Sequence, residues 1–167
     1  MRNVAVTLVA LVILAALVVV LTPRGRFETT CGGECVRNVR TLAGVLELAP
    51  PSEWNGDLLP YLLERADLEG EPDLLYCPGD PRPRSEEHRT SYAFRRANDP
   101  ACPVKPGVVL LADDSDDHHD GKGFVVGYAG GTVKWRDKAK DWGLDHSRSV
   151  RVGPDSVVPE LRCLAAE

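Results

Sequence analysis

Phe124-Val125-Val126-Gly127-Tyr128-Ala129-Gly130-Gly131-Thr132-Val133-Lys134-Trp135 is the stretch on which the fold turns. Two apolar runs flank a Gly-Gly pair, and glycines take the positive backbone angles that a tight hairpin turn needs. Phe124, Val126 and Tyr128 alternate onto one face, as Val133 and Trp135 do in the partner run, which predicts two antiparallel strands. Upstream, Val108 to Leu111 is a compact apolar run bounded by Gly107 and Asp113, so a β-meander is expected. Ser91 to Phe94 offers one more short strand in a region that six prolines between Cys77 and Pro106 otherwise make loop. An antiparallel sheet needs its apolar face covered. Cys35 to Ala49 provides a cover, because Val36, Val39, Ala43 and Leu46 recur at helical spacing and Pro50-Pro51 then stops the helix. The fold class is therefore α+β, an amphipathic helix packed on a small antiparallel β-sheet. After Trp142 only short apolar runs remain, and no element is assigned to them.

The chain has 167 residues, and Val4 to Leu21 is eighteen residues without a charge. As a helix rising about 1.5 Å per residue this stretch spans roughly 27 Å, enough to cross a bilayer core. Leu21-Thr22-Pro23 lacks the small residues of a signal-peptidase site, so the expectation is an uncleaved N-terminal membrane anchor over residues 1–26 and an extracytoplasmic domain over 27–167. Arg24, Arg26, Arg37 and Arg40 after the span argue for a cytoplasmic domain, whereas five cysteines argue for an oxidising exterior. The reading follows the cysteines: a single-pass inner (cytoplasmic) membrane protein with its domain on the periplasmic side and the lipid bilayer as a partner. All 25 acidic residues follow Arg26 and the net charge is -5. Such a domain repels phosphate backbones, which excludes nucleic acid as a partner.

Asp113, Asp114, Asp116, Asp117, His118, His119 and Asp120 form the densest polar cluster. Carboxylates suit Ca²⁺ and imidazoles suit transition metals, so Asp116, Asp117, His118, His119 and Asp120 are the candidate metal ligands, with Ca²⁺ the candidate ion. A solvated loop between two strands is the plainer account of the same residues. Cys77 and Cys102 enclose 24 residues. A disulfide between them would stabilise the loop by about 3 to 4 kcal/mol on the chain-entropy model. For Cys31, Cys35 and Cys163 a local bridge, a bridge to a partner and free thiols stay open. No Gly-x-Ser-x-Gly elbow, phosphate-binding Gly-Lys-Ser/Thr loop or His-Glu-x-x-His pair occurs, so no enzyme and no catalytic residue are expected. His88 and His146 read as surface residues. The alternatives are an anchored metal-binding or redox module using the Asp/His cluster or the cysteines, and a metal-dependent hydrolase on His118, His119 and Asp120.

The order of parts carries a resemblance. A Leu21-Thr22-Pro23 exit from the anchor is followed by Cys35-Val36-Arg37-Asn38-Val39-Arg40, Cys77-Pro78-Gly79-Asp80-Pro81, Ser91-Tyr92-Ala93 and a closing hairpin from His119 to Trp135. In that order the chain resembles type II secretion pseudopilins, and more narrowly the bacterial prepilin-like proteins with a Cys-Pro-x-Asp-Pro loop. The resemblance implies a pilin-like fold, a structural role among other pseudopilin-like subunits, and in some members a Ca²⁺ beside the sheet. The chain departs from the pattern in having Gly130-Gly131-Thr132 where the hairpin usually has Asp-Gly-His. It also lacks the usual prepilin cleavage motif, with neither a Gly before Phe nor an acidic residue in the span. The expectation is accordingly a minor or degenerate component of a type II secretion or surface assembly.

Overall fold

A computed structural model describes residues 31–48, 58–63, 71–96 and 99–166. The expected anchor, Val4 to Leu21, lies outside the described residues; among those described, no helix is long and apolar enough to cross a membrane. The helices are α1 (Cys31–Leu48), α2 (Leu58–Leu63) and α3 (Lys138–Trp142), and the strands are β1 (Tyr92–Arg95), β2 (Val109–Asp113), β3 (Gly123–Tyr128), β4 (Val133–Asp137) and β5 (Leu164–Ala165). The strands form one antiparallel sheet in the order β4-β3-β2-β1-β5. The fold is α+β, as the apolar periodicities predict.

Helix α1 lies on one face of the sheet. Its stripe of Cys35, Val39, Leu42, Ala43 and Leu46 is fully buried against Leu111, Val125, Tyr92 and Phe94, with Val133 and Trp135 packed at the margin. The approach is close at Gly127, where a Cβ would stand 2.8 Å from Leu111 Cδ2 and 3.2 Å from Val39 Cγ1. A larger residue there would have to displace the Leu111 side chain and crowd Val39 of the helix. The Gly130-Gly131 turn forms as expected, with φ of 104° and 72°. Glu47 at the end of α1 clamps it by accepting the Gly130 N–H at 2.5 Å.

Two expectations are corrected. Phe124, Val126 and Tyr128 do not face the helix. They face the other side of the sheet, where Val150, Val158, Leu161 and Leu164 cover them together with Trp142 and Leu144. Val125, cross-strand from Trp135, is the residue under α1. Alternation marks a face only when the opposite face is polar; here Phe124, Val125 and Val126 are all fully buried because both faces are covered. The tail after Trp142, which had no assigned element, is thus the second cover and ends in the edge strand β5.

The second correction concerns the disulfide. Cys102 bonds to Cys163, with Cα atoms 5.5 Å apart, and Cys77 is not bridged to it. Cys77 sits among the residues beside α1, near the Tyr92 end of β1. Cys102 sits at the Arg95 end, where the Arg95 guanidinium donates to the carbonyl oxygens of Cys102 and Val109 at 3.0 Å and of Pro103 at 2.9 Å. The two cysteines thus lie towards opposite ends of a four-residue strand about 10 Å long, whereas a disulfide needs Cα atoms within roughly 7 Å.

Candidate functional site

The most concentrated polar chemistry lies inside the domain, at the end of the sheet where β2 stops. Asp113 is the last residue of β2 and is fully buried. Cys35, on the inward stripe of α1, donates through Sγ to Asp113 Oδ1 at 3.0 Å and lies 3.5 Å from the Tyr92 hydroxyl. The Val125 N–H donates to Asp113 Oδ2 at 2.6 Å, and His119 Nε2 lies 3.0 Å from the same oxygen. Cys77, just after the 3₁₀ turn Pro72–Leu75, places Sγ 3.9 Å from His119 Nε2. One ligand atom from each of Cys35, Cys77, Asp113 and His119 lies within 4.8 Å of every other.

Local sequence explains how the histidines are presented. Ser115 caps a 3₁₀ turn, Asp116–His119, by accepting the Asp117 N–H, and Asp120 ends it in the left-handed conformation at φ 54°. Three residues per turn put neighbouring side chains about 120° apart, so the Nε2 atoms differ in their contacts, that of His118 facing Asp80 and Asp114 and that of His119 facing Asp113. His119 stands edge-on to Trp135 with ring centroids 5.0 Å apart. His118, whose side chain is fully buried, has Nε2 3.2 Å from both Asp80 Oδ2 and Asp114 Oδ1.

Around His118 a guanidinium occupies the position a cation would take. Arg82 Nη2 lies 2.8 Å from Asp80 Oδ2, 2.7 Å from Asp114 Oδ1 and 2.9 Å from His118 Nε2. Asp80 also accepts from Ser91 Oγ at 2.6 Å, and His88 Nε2 lies 2.9 Å from it. His88, expected at the surface, is therefore largely buried as a partner of Asp80, with 12% of its side chain exposed.

The electrostatics separate the groups. Burial pushes the Cys35 thiol far up, keeping its proton on the donor to Asp113. Cys77 is pulled down to about 4, first by its hydrogen bond with Cys35, against its burial, and then by bonds with His118 and His119. Burial disfavours charge on both imidazoles, but hydrogen bonds with Asp113 and Cys77 outweigh it at His119 and raise it to about 9, and the nearby Asp113 carboxylate moves His118 in the same direction. Burial would also raise the Asp80 carboxyl, yet hydrogen bonds from Arg82 and Ser91 hold it well below the ordinary carboxylate range.

The five metal candidates of the Asp/His loop do not converge on one point. Asp116 pairs with Lys138 inside the domain, Asp117 and Asp120 are exposed, and the two histidines belong to separate clusters. His119 alone of the five joins the buried quartet. Cys35 and Asp113 were legible only in part: a cysteine on a helix's apolar stripe and an aspartate directly after an apolar strand are each compatible with plain burial. No protein-family model, curated protein or solved structure matches the chain. The motifs quoted above meet in space: Cys35 and Cys77 at the quartet, Asp80 and Ser91 around Arg82, and Tyr92 beside Cys35.

Asp80 should be an acid-sensitive anchor of this region. Its folded pKa is lowered, so its contribution is fully present above the unfolded value near 3.8 and is lost as pH falls towards the folded one. Asp80→Asn is expected to cost about 2–4 kcal/mol at neutral pH, since charge-assisted bonds to Arg82 weaken while Arg82 and Asp114 stay in place. Urea denaturation at several pH values checks this. The variant's stability should vary less below pH 4 than the parent's, and parallel curves would contradict the assignment.

Proposed function

We propose that the chain is a membrane-tethered, non-catalytic pseudopilin-like structural protein, a minor or degenerate component of a type II secretion or surface assembly. In this reading residues 1–26 hold it in the cytoplasmic membrane, and the domain works by contact with other subunits on the extracytoplasmic side. The observation that carries the reading is the use of α1: its inner stripe is consumed by the sheet, while Arg37, Arg40 and Thr41 on its outer face stay exposed for neighbours. Among the described residues, Cys35, Cys77, Asp113 and His119 are buried together beside that helix, which supports a structural rather than a catalytic use of them. The Cys102–Cys163 bridge supports an oxidising side of the membrane.

Photo-crosslinking residues placed at Arg37 and Arg40 of the full-length chain, in cells that make it, test the proposal. Capture of pseudopilin-like subunits is the expected result. Capture of lipid alone, or metal-dependent hydrolytic turnover by the purified chain, would overturn it. A reporter fused to the C-terminus checks the location, and activity of a cytoplasmic reporter only would reverse the orientation.

A further inference from the structure

We infer that Cys35, Cys77, Asp113 and His119 form a closed four-ligand site for Zn²⁺, which ties α1 to the sheet and its flanking turns.

Geometry comes first. Zinc in a structural site takes four ligands tetrahedrally at about 2.0–2.3 Å, which places ligand atoms about 3.3–3.8 Å from one another. Cys35 Sγ lies 3.0 Å from Asp113 Oδ1, His119 Nε2 3.0 Å from Asp113 Oδ2 and Cys77 Sγ 3.9 Å from His119 Nε2, and one ligand atom of each residue lies within 4.8 Å of every other, so adjustments of about an ångström reach tetrahedral spacing. All four side chains are buried, with His119 the most exposed at 6%. Each comes from a different part of the fold: a helix, a loop, a strand end and a 3₁₀ turn.

Ligand type then selects the ion. Two sulfurs and an imidazole suit Zn²⁺, whereas Ca²⁺ takes six or more oxygens and the quartet has one carboxylate. Asp113 is held by the Val125 N–H, the Cys35 thiol and the His119 imidazole, and a divalent cation seated among the four would take the place of the hydrogens that the thiol and the imidazole direct at the carboxylate. The neighbouring cluster of Asp80, Asp114 and His118 makes the contrast, because there the Arg82 guanidinium already supplies the positive charge. An outer layer of contacts is also in place. The Val125 N–H orients Asp113, and Trp135 stands edge-on to the His119 ring. The ion takes the cysteines as thiolates and His119 as a neutral imidazole, so any protons these groups carry go to solvent on binding, and no covalent bond between protein atoms is made or broken.

The test uses the full-length chain, extracted in detergent and purified anaerobically without reductant or chelator. Elemental analysis should find one zinc per chain. Exchange for Co²⁺ should give the intense visible bands of a four-coordinate ion together with thiolate-to-cobalt charge transfer. Cys77→Ser and His119→Gln should each weaken Zn²⁺ binding at least about ten-fold, the lower end of what losing even an outer contact costs. Asp117→Asn and Asp120→Asn, in exposed residues, should leave it unchanged. Absence of metal with no cobalt spectrum, a six-coordinate spectrum without charge transfer, binding unaffected by the two ligand variants, or a Cys35–Cys77 disulfide in the isolated chain would each overturn the inference. The cobalt spectrum of the unaltered chain decides the matter even if the ligand variants fail to fold. None of these readouts depends on whether the chain joins a pseudopilin-like assembly.

Discussion

Exchanging Lys138 for methionine should destabilise the domain by about 3–5 kcal/mol, the cost of removing one partner from a buried ion pair. Lys138 opens α3 and is completely buried, as is Asp116. Its ammonium group bonds the Asp116 carboxylate and donates to the carbonyl oxygens of His146 at 3.2 Å and Arg148 at 2.5 Å. Asp116 Oδ1 in turn accepts from the Val150 N–H at 3.0 Å and from Ser149 Oγ at 3.3 Å. The pair thus ties the 3₁₀ turn bearing both histidines to the C-terminal cover of the sheet. Methionine fills similar space but leaves a buried carboxylate with only two donors and strands two carbonyl groups. Asp116→Asn with Lys138→Met should be less damaging than the sum of the single changes, because the uncompensated charge is gone. Urea midpoints for the full-length chain, the two single variants and the double variant close the cycle. An unchanged midpoint for Lys138→Met would refute the account.

Reducing the Cys102–Cys163 bridge, or replacing both residues by serine, should cost about 4 kcal/mol on the chain-entropy model for a loop of this length. The bridge spans 61 residues and so encloses most of the sheet. It matters locally as well, since β5 pairs with β1 at only two positions, Phe94 with Ala165 and Arg95 with Leu164. The Arg96 N–H, which donates to the Cys163 carbonyl at 3.0 Å, should lose hydrogen-exchange protection before the amides of β2 and β3 do. Denaturation with and without reductant, followed by exchange at that amide, checks both parts. A midpoint that ignores reductant would show that the bridge does not constrain the unfolded chain.

The legibility of the fold was uneven. Helix α1 and strands β1 to β4 were visible because their apolar periodicity and the Gly130-Gly131 turn are local properties of a short stretch of chain. Which face of β3 lies under α1 was not visible. With Phe124, Val125 and Val126 all apolar, neither parity is marked, and the answer depended on a C-terminal cover built from runs too short to read as elements. The site was legible as a collection of parts. Cys77, Asp80, Ser91, Tyr92 and His119 stood out as motif residues, whereas the partnerships among them join positions up to 78 apart, as Cys35 and Asp113 show.

What the amino-acid sequence determined by itself was helix α1, strands β1 to β4, the acidic balance of the chain, and the charge-free run from Val4 to Leu21. Each follows from neighbours along the chain, through backbone geometry, side-chain pattern or net charge. Only the tertiary structure decided that Cys102 meets Cys163, that Arg82 fills the Asp80–Asp114–His118 cluster, and that His119 and not His118 joins the two cysteines. Those outcomes depend on which surfaces of the sheet are covered and on the 120° step of one 3₁₀ turn, quantities fixed by packing between distant segments rather than by the residues next to them.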